Sequence, residues 1–349
     1  MTKLFCKRWE RWACLGLLSR GMVAPEFPEW PQDSFQEMET VDPGYRSGMS
    51  VQSSFVMSPI DEFGTQEQKD KYLEKLAKGQ LIGCFGLIEP NHGSDPGSME
   101  TIAKPHPHNK GFFSLSGAKI WIIHCPIAEV LLIWAKLQDT EKIRGFLVAH
   151  EKCPLDTLTT LPLKSKSGLR ALSTESMQLD NCPVPKESMF PDIEGLKGPF
   201  ACLNSARYGI AWGTMRALED CLARAREYAL ERNQFKNSPI AKYQLVQKKL
   251  ADAATDIAYG LAAAYQVGRL KDEAKLTPEM ISMIKRPNCD RALINARHLQ
   301  EMLGGNAVSD EYYIGRHVSN RFVTQTYERQ SDIHSLILGR AITGIQPFV

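Results

Sequence analysis

The change of hydrophobic period along the chain is the feature that most constrains its fold. Between about residues 80 and 192, short apolar runs such as "KIWII" and "EVLLIWAKL" are separated by Gly, Asn and Pro. Runs of this length, rich in Ile, Leu, Val and aromatic residues, are typical of β-strands. From about residue 199 the apolar positions instead step by three and four, as they do on one face of an α-helix. The chain therefore carries a β-rich part followed by a helical part.

The β-rich part predicts an antiparallel barrel or sandwich, because no helix of useful length separates its strands as a parallel doubly wound sheet requires. The helical part predicts a four-helix bundle. Its helices are expected around Met215–Ala229, around Val246–Val267, from Thr277 to Gly304, and from about Asp332 onward. Thr277 suits an N-cap, Pro278 a first helical position, and Gly304 a left-handed helix end. Pro287 falls inside the third helix, at a cost of roughly 3 kcal/mol unless that helix kinks there.

The first part of the chain predicts one short helix, over residues 65–79. Thr65 and Gln68 form a T-x-x-Q capping box, and Gly79 suits the residue after the helix end. Residues 1–40 are a basic arm followed by the Pro-rich linker "APEFPEWPQD". The arm resembles a mitochondrial transit peptide, although an ordinary basic helix fits the same residues equally well. The predicted organisation is therefore 1–40 arm and linker, 41–79 helical, 80–192 β domain and 193–349 helical bundle.

Composition excludes several classes of function. The net charge of +2 argues against a nucleic-acid binder, and no apolar run reaches the length of a membrane span. The nine cysteines include no C-x-x-C pair, which indicates reduced thiols, neither a disulfide framework nor a zinc site. His106 and His108 lie in the Pro-rich turn "KPHPHNK" and are read as solvated histidines. No metal site is predicted.

Two stretches contain candidate functional residues, but each stretch alone is too short to define a function. In "CFGLIEPNHGSDPGS" a strand runs into a Gly-rich polar loop, whose N–H groups could face a polar ring or a phosphate. In "TYERQSDIH" the carboxylate of Glu328 precedes a predicted helix. It could be a catalytic base or an ordinary surface charge. Together with "WIIHCP", "ARYGIAWG", "ERNQF" and "EMLGGN", these stretches follow the order found in the acyl-CoA dehydrogenase family. Residues 41–349 resemble that family, most closely its glutaryl-CoA dehydrogenases.

The resemblance implies a fold, a cofactor and a reaction. The implied fold is α+β and multidomain, with a middle β-barrel domain, a C-terminal four-helix bundle, and an N-terminal helical domain that is largely missing here. FAD is the implied cofactor, bound between the β domain and the bundle of a homotetramer. The implied reaction is α,β-dehydrogenation of glutaryl-CoA with decarboxylation to crotonyl-CoA, a step in lysine and tryptophan catabolism. Electrons would pass to the electron-transferring flavoprotein in the mitochondrial matrix, with no nucleic acid and no membrane span involved.

The resemblance also assigns residues. Glu328 is the expected base, because it occupies the position of the family's catalytic glutamate. The expected substrate contacts are Arg46 and Ser47, for a distal carboxylate, together with Ser94, Phe200, Leu203, Asn204, Arg207 and Arg329. The expected FAD contacts are Phe85, Gly86, Leu87, Ile88, Glu89, Gly93, Ser94, Trp121, Ile122, Ile123, Arg232, Gln244, Glu301, Leu303, Gly304, Gly305, Gln330 and Phe348.

The sequence departs from the family at several of these positions. Ile88 and Ile123 stand where the family has threonines that would hydrogen-bond flavin, and a hydrocarbon side chain cannot do so. Arg329 replaces the glycine after the base, and its charge would lower the pKa of Glu328. Three hypotheses therefore stay open: a working dehydrogenase, a degenerate relative that at most binds flavin or acyl-CoA, and a helical interaction module without a ligand.

Overall fold

The computed structural model describes residues 37–347. The predicted basic arm and most of the predicted linker, as well as Phe348, lie outside this range. The described residues divide into two units. The β unit comprises residues 47–165 and 172–205, and the helical unit comprises 37–46, 166–171 and 206–347. Residues 37–40, which the sequence analysis assigned to the linker, are helical.

The helices that precede the first strand are fixed by local signals. They are α1 (Pro43–Ser50), a π-helical stretch (Val51–Met57), α2 (Ser58–Phe63) and α3 (Gln66–Ala77). Both bonds of the Thr65–Gln68 capping box are present, and Gly79 has a positive φ of 67°, so both predictions are confirmed. The buried amide of Gln52 donates to Leu76 O and Leu81 O and accepts from Gly83 N, which ties α3 to the first strand.

One seven-stranded sheet forms the β unit. Its strands are β1 (Gly83–Gly86), β2 (Ile102–Pro105), β3 (Phe112–Ile123), β4 (Val130–Leu137), β5 (Ile143–Ala149), β6 (Leu158–Pro162) and β7 (Thr174–Pro185). They pair in the order β1-β4-β2-β3-β7-β6, and β5 also pairs with β4. Six successive residues of β4, Val130–Ala135, are buried, so this strand runs through the core. The predicted β domain is confirmed.

The expectation of a purely antiparallel sheet is wrong. β1 and β2 both pair with β4 in parallel, through Gly83↔Val130 and Ile102↔Lys136. The other pairs are antiparallel. Parallel neighbours need a crossover but not a helical one, and here strands and loops make the connection. The absence of long helices between the strands therefore could not exclude parallel pairs.

Over residues 206–347, the helical unit contains one long helix more than the four that the sequence predicts. Its long elements are α4 (Lys197–Glu231, of which 206–231 belong to this unit), α5 (Gln244–Asp272), α6 (Pro278–Glu301), α7 (Ile314–Thr326) and α8 (Ser331–Thr343). A short hairpin, Asn233–Gln234 with Ser238–Pro239, joins α4 to α5. Helix α7 was missed because four of its five buried residues are polar: His317, Asn320, Arg321 and Thr324. Hydrophobic periodicity cannot reveal such a face.

The predicted details of α6 are mostly confirmed. Thr277 occupies the N-cap and Pro278 the first helical position, although the Thr277 side chain makes no capping hydrogen bond. Gly304 has a left-handed φ of 56°. The helix runs through Pro287 without interruption. Over residues 37–347, no helix combines the length and the apolar character needed to cross a bilayer.

Candidate active site

The loop between α7 and α8 carries Glu328 in a backbone conformation that few residues adopt. Glu328 has a φ of 53° and Arg329 a φ of 78°, so two successive non-glycine residues are left-handed. Such a conformation costs on the order of 1 kcal/mol or more per residue and persists only where its surroundings enforce it. The neighbours of the loop therefore decide where the carboxylate lies.

Lys285 on α6 is the main support of this loop. Its side chain is fully buried, and Nζ donates to Gln325 O (3.3 Å), Tyr327 O (3.1 Å) and Arg329 O (2.8 Å). Three carbonyls on both sides of Glu328 thus share one ammonium group, which has three protons to donate. Sequence reasoning missed Lys285. The available signal was a lysine inside the buried stripe of α6, next to Ile281 and Ile284.

Further contacts fix the two ends of the loop. Asp290 Oδ1 accepts from Gln325 Nε2 (2.7 Å) and from Ser331 Oγ (2.5 Å). The ring of His334, fully buried on α8, is hydrogen-bonded to Ser282 Oγ through Nδ1 (3.0 Å). Burial and nearby cations lower the pKa of His334 to about 3, so this ring is neutral at physiological pH. The loop is held by side chains rather than by packing alone.

One oxygen of the Glu328 carboxyl, the buried Oε2, makes no hydrogen bond to the described residues. Burial raises the pKa of Glu328 to about 7 from its ordinary 4.5. Four cations oppose that rise, in decreasing order Arg207, Lys285, Arg46 and Arg329. The predicted lowering by Arg329 is present but is outweighed by burial.

Arg207 lies beside the base rather than at the surface. It is 4% exposed, and its Nε donates to Glu328 O at 3.0 Å. Burial lowers the pKa of Arg207 to about 10. The sequence analysis expected this residue to contact the substrate. Its buried position next to the Glu328 backbone is that of a residue that supports the loop. A contact between Arg207 and the substrate stays a prediction.

Arg46 belongs to a buried ionic cluster that adjoins Glu328. Its Nε donates to Glu39 Oε2 (2.5 Å), and its Nη2 donates to Tyr327 Oη. Arg321 Nη2 donates to the other oxygen of Glu39 at 2.9 Å. Both guanidinium groups are at most 2% exposed, and the pKa of Arg46 is raised above its usual range, because Glu39 and Tyr327 outweigh desolvation. Two cations thus share one carboxylate, and neither Glu39 nor Arg321 was predicted.

The other predicted substrate residues, apart from Arg329, lie in the β unit. Ser47 and Leu203 are buried, Phe200 and Asn204 are half-buried, and Ser94 is exposed. Arg329 lies in the helical unit, where its carbonyl accepts from Lys285. Their roles toward a substrate stay predictions.

In the β unit, the predicted FAD residues gather around the ends of β1 and β3. Ile120 N donates to Ile88 O at 2.9 Å, which joins the segment after β1 to β3. Phe85 and Gly86 end β1, while Leu87 and Ile122 are buried and Ile88 and Ile123 half-buried. Trp121 is 58% exposed with a left-handed φ of 62°, so its indole presents an apolar ring at the surface. A Cβ added at Gly93 would meet nothing within 4 Å.

Among these predicted FAD residues, Glu89 is buried and fully engaged in hydrogen bonds within the protein. It is 3% exposed and accepts from Lys119 Nζ (2.8 Å), Glu100 N (2.6 Å), Thr101 N (3.0 Å) and Thr101 Oγ1 (2.5 Å). Burial works to raise its pKa, but the charge of Lys119 and these hydrogen bonds lower it overall. Lys119 also donates to Leu87 O at 3.1 Å. Glu89 therefore shapes the loop after β1.

The predicted FAD residues of the helical unit are mostly exposed. Arg232, Gln244, Glu301, Gly304, Gly305 and Gln330 are at the surface, and Leu303 is buried. Glu301 is paired with Lys249 at 2.6 Å. Leu303 O accepts from Tyr228 Oη at 3.3 Å. Exposed cationic and amide side chains such as Arg232 and Gln244 are suited to a polar ligand, but the structure shows no function for them.

Comparison with known proteins identifies the family. Profiles of the N-terminal, middle and C-terminal domains of acyl-CoA dehydrogenases match residues 34–80, 84–182 and 194–343. The mitochondrial short-chain specific acyl-CoA dehydrogenase of Bos taurus is 30% identical over 292 residues, covering 83% of this chain and 70% of that protein. A crystal structure of glutaryl-CoA dehydrogenase from Mycobacterium smegmatis superposes with a TM-score of 0.91 at 37% identity, covering 99% of this chain and 88% of that one. The chain belongs to the acyl-CoA dehydrogenase family.

Acyl-CoA dehydrogenases use FAD, and a second structure of the Mycobacterium smegmatis enzyme, 36% identical, is a complex with FADH2. The residues of this chain fit the cofactor. The exposed indole of Trp121 offers a flat apolar surface, and the open space around Gly93 leaves the loop after β1 accessible. An aromatic ring can stack on such an indole, and a loop without side-chain bulk admits a ligand close to its backbone.

Proposed function

We propose that this chain is an FAD-dependent acyl-CoA dehydrogenase of the glutaryl-CoA type, with Glu328 as the base. The observation that carries the proposal is the state of Glu328. Its pKa is raised to about 7, its Oε2 is buried, and among residues 37–347 that atom has no hydrogen-bond partner. A carboxylate prepared in this way suits proton transfer near neutral pH, because a general base works best when its pKa lies near the working pH.

The chain's own residues set up removal of a proton from the α carbon of a thioester. Lys285 and Arg207 hold the loop backbone by its carbonyl oxygens and so leave the Glu328 carboxylate available. Their charges also keep its pKa from rising further. The chemistry that FAD supplies when bound is acceptance of the hydride from the β carbon. An exposed Trp121 and the loop after β1 would hold the cofactor in the β unit.

The preference for a dicarboxylic acyl-CoA is supported by the charge balance around Arg46. The guanidinium groups of Arg46 and Arg321 share one carboxylate, that of Glu39, so these three buried residues carry one positive charge in excess. Burying an excess charge is costly. The distal carboxylate of a glutaryl group would balance it, and a guanidinium binds a carboxylate in a bidentate fork. A purely alkyl chain has no group that could do so.

The remaining features of the proposal follow the glutaryl-CoA dehydrogenase resemblance. The product would lose its distal carboxylate as CO2 and leave as crotonyl-CoA. The electrons would pass to the electron-transferring flavoprotein, and the enzyme would be a homotetramer of the mitochondrial matrix.

A second candidate is a family member that binds flavin or acyl-CoA without turning substrate over. Arg329 favours it, since it places a long side chain at a left-handed position directly after the base. Because the Bos taurus relative is a short-chain specific enzyme, a simple alkyl acyl-CoA is an alternative candidate substrate for this chain.

The test is a visible spectrum of the chain purified with FAD, recorded before and after anaerobic addition of glutaryl-CoA or butyryl-CoA. Bleaching of bound flavin by glutaryl-CoA in preference to butyryl-CoA supports the proposal. Bleaching by butyryl-CoA alone supports a short-chain enzyme. Bound flavin that bleaches with neither supports the non-catalytic candidate, and failure to bind flavin rejects the dehydrogenase function.

A further inference from the structure

Cys153 and Cys182 bring two thiols into contact in the β unit, and the proposed reaction uses neither of them. Cys182 lies in β7, and Cys153 follows a short helical turn after β5. Their Sγ atoms are 3.3 Å apart. A disulfide has sulfurs about 2.0 Å apart, so an approach of roughly 1.3 Å would join them.

The backbone keeps these two thiols together. Cys153 N donates to His150 O at 3.0 Å, and Asp180 N donates to Thr157 O at 3.0 Å. The segment from Cys153 to Thr157 is thus anchored at one end to the turn after β5 and at the other end to β7. Cys182 is paired with Leu115 of β3 in the sheet. The fold therefore holds the two backbone segments that carry the thiols next to each other.

The two thiols differ in access and in acidity. Cys182 is fully buried, whereas Cys153 is half-buried and lines a surface pocket of about 480 Å³ together with Pro126, His150 and the exposed Leu155. The hydrogen bond between Cys182 and Cys153 lowers the pKa of Cys182 to about 7. The same contact, with burial, raises the pKa of Cys153. A small oxidant can thus reach one sulfur, while the other is ready to act as a thiolate nucleophile.

We propose that Cys153 and Cys182 form a reversible redox modification site, which hydrogen peroxide converts into an intramolecular disulfide. The thiol of Cys153 loses its proton, the resulting thiolate attacks one peroxide oxygen, and the O–O bond breaks. The leaving hydroxide takes up that proton, so a sulfenic acid on Cys153 and one water are formed. The thiolate of Cys182 then attacks the Cys153 sulfur, the S–O bond breaks, and the hydroxide leaves as water with the proton of Cys182. Two thiols and one peroxide thus give one disulfide and two waters, and a dithiol reductant reverses the change.

The chain contains a matched comparison in Cys84 and Cys125. These two cysteines are also neighbours, and the contact with Cys125 together with burial raises the pKa of Cys84. Both are fully buried. Proximity is therefore shared by the two pairs, whereas only the pair of Cys153 and Cys182 has a half-buried member, Cys153, that lines a surface pocket.

The experiment treats the full-length chain, purified reduced, with hydrogen peroxide, blocks the remaining thiols, and maps disulfides by tryptic mass spectrometry. The expected product joins the peptides 153–164 and 171–186, which each contain one cysteine. It disappears after reduction with a dithiol. Cys153→Ser and Cys182→Ala abolish it, and Cys125→Ala, which removes the buried pair, leaves it unchanged.

The oxidised chain is also expected to unfold at a temperature about 5 °C higher than the reduced chain, since the bond closes a loop of about 30 residues. The Cys153→Ser variant, whose altered residue is half-buried, shows no such shift. Three outcomes overturn the proposal: no joined peptides although the treated chain stays folded, a disulfide that maps to other cysteines, or Cys153 that accumulates as sulfinic acid while Cys182 stays reduced.

Discussion

The β unit and the helical unit each bury a lysine beside a glutamate, and the two pairs are built in opposite ways. In the β unit, Lys119 donates directly to the carboxylate of Glu89, which also accepts three further hydrogen bonds. In the helical unit, Lys285 donates to three backbone carbonyls around Glu328 and to none of its carboxylate oxygens. The pKa of Glu89 is accordingly lowered, and that of Glu328 is raised to about 7.

The difference shows how the same two residue types give structure in one place and reactivity in another. A carboxylate with all its lone pairs engaged is stabilised as an anion and has no capacity left for a substrate proton. A carboxylate whose backbone is held by the lysine stays poorly solvated and basic. A lysine that donates to the carboxylate itself favours the structural role, and a lysine that donates to the neighbouring backbone carbonyls favours the reactive one.

The largest expected effect comes from Glu328→Gln. The amide cannot accept the α proton, so anaerobic flavin bleaching by glutaryl-CoA should slow by at least about 10³-fold. Stopped-flow spectroscopy measures the rate, and Glu273→Gln, an exposed carboxylate paired with Lys275, is the matched control. Bleaching at the wild-type rate in Glu328→Gln would remove Glu328 from the mechanism.

Lys119→Met should cause the greater loss of stability of the two lysine variants. It leaves the anionic Glu89 buried without its cation, which typically costs about 3–5 kcal/mol. Lys285→Met leaves no buried anion bound to it and should cost about 1–3 kcal/mol through unpaired carbonyls. Denaturant unfolding measures both, with Lys275→Met as a surface control. Adding Glu89→Gln to Lys119→Met should recover part of the loss, and equal losses at both lysines would contradict the comparison.

Of the two lysine variants, Lys285→Met should nevertheless have the larger effect on catalysis by Glu328. Without the three hydrogen bonds the left-handed loop relaxes, and kcat should fall by roughly 10- to 100-fold because a misplaced base reacts slowly. The pKa seen in kcat/KM should rise, since the lysine charge lowers the pKa of Glu328. A pH profile of the variant measures both changes. An unchanged kcat with an unchanged profile would show that Lys285 serves stability alone.

The wild-type pH profile should reflect the raised pKa of Glu328. Below about pH 7 the carboxyl is protonated and cannot act as a base, so kcat/KM should fall about tenfold per pH unit. Because the folded-state pKa lies above its ordinary 4.5, the folded chain binds more protons in this window, and the contribution of Glu328 to stability should decrease as pH rises from 4.5 to 7. A profile that is flat down to pH 5 would contradict both statements.

The smallest expected effect is that of Arg329→Gly. Glycine adopts the φ of 78° without strain, so stability should rise by about 0.5–1 kcal/mol. The Arg329 charge is the smallest of the four that lower the pKa of Glu328, so the midpoint of the pH profile should rise by less than about one unit. Thermal unfolding and the pH profile measure these changes. A loss of stability would show that the Arg329 side chain supports the loop.

Local signals in the sequence predicted those parts of the fold that depend on neighbouring residues. The Thr65–Gln68 capping box, the left-handed Gly79 and Gly304, and the start of α6 at Pro278 were all confirmed. These features follow from hydrogen bonds and steric limits within a few residues of the chain. The boundaries of the domains and the roles of the individual site residues stay predictions.

Other features were missed because they depend on residues far apart in the chain. The parallel pairs of β4 with β1 and β2 are set by the path of the chain and not by the composition of the strands. Helix α7 buries Arg321 against Glu39, 282 residues away, so its buried face is polar and has no hydrophobic period. The contacts of Arg46 with Glu39 and Tyr327 were likewise not predicted, while its expected contact with a substrate carboxylate stays a prediction.

Patterns along the chain were enough to predict the family, the order of a β unit and a helical unit, and the position of Glu328 before the last helix. These features follow from periodicity, capping residues and the order of short motifs, all of which can be read from the sequence. The raised pKa of Glu328 and the contact between Cys153 and Cys182 depend instead on the folded structure. Burial and the placement of Lys285, Arg207 and Arg46 set that pKa, and burial is a property of packing between distant segments, which no local pattern records.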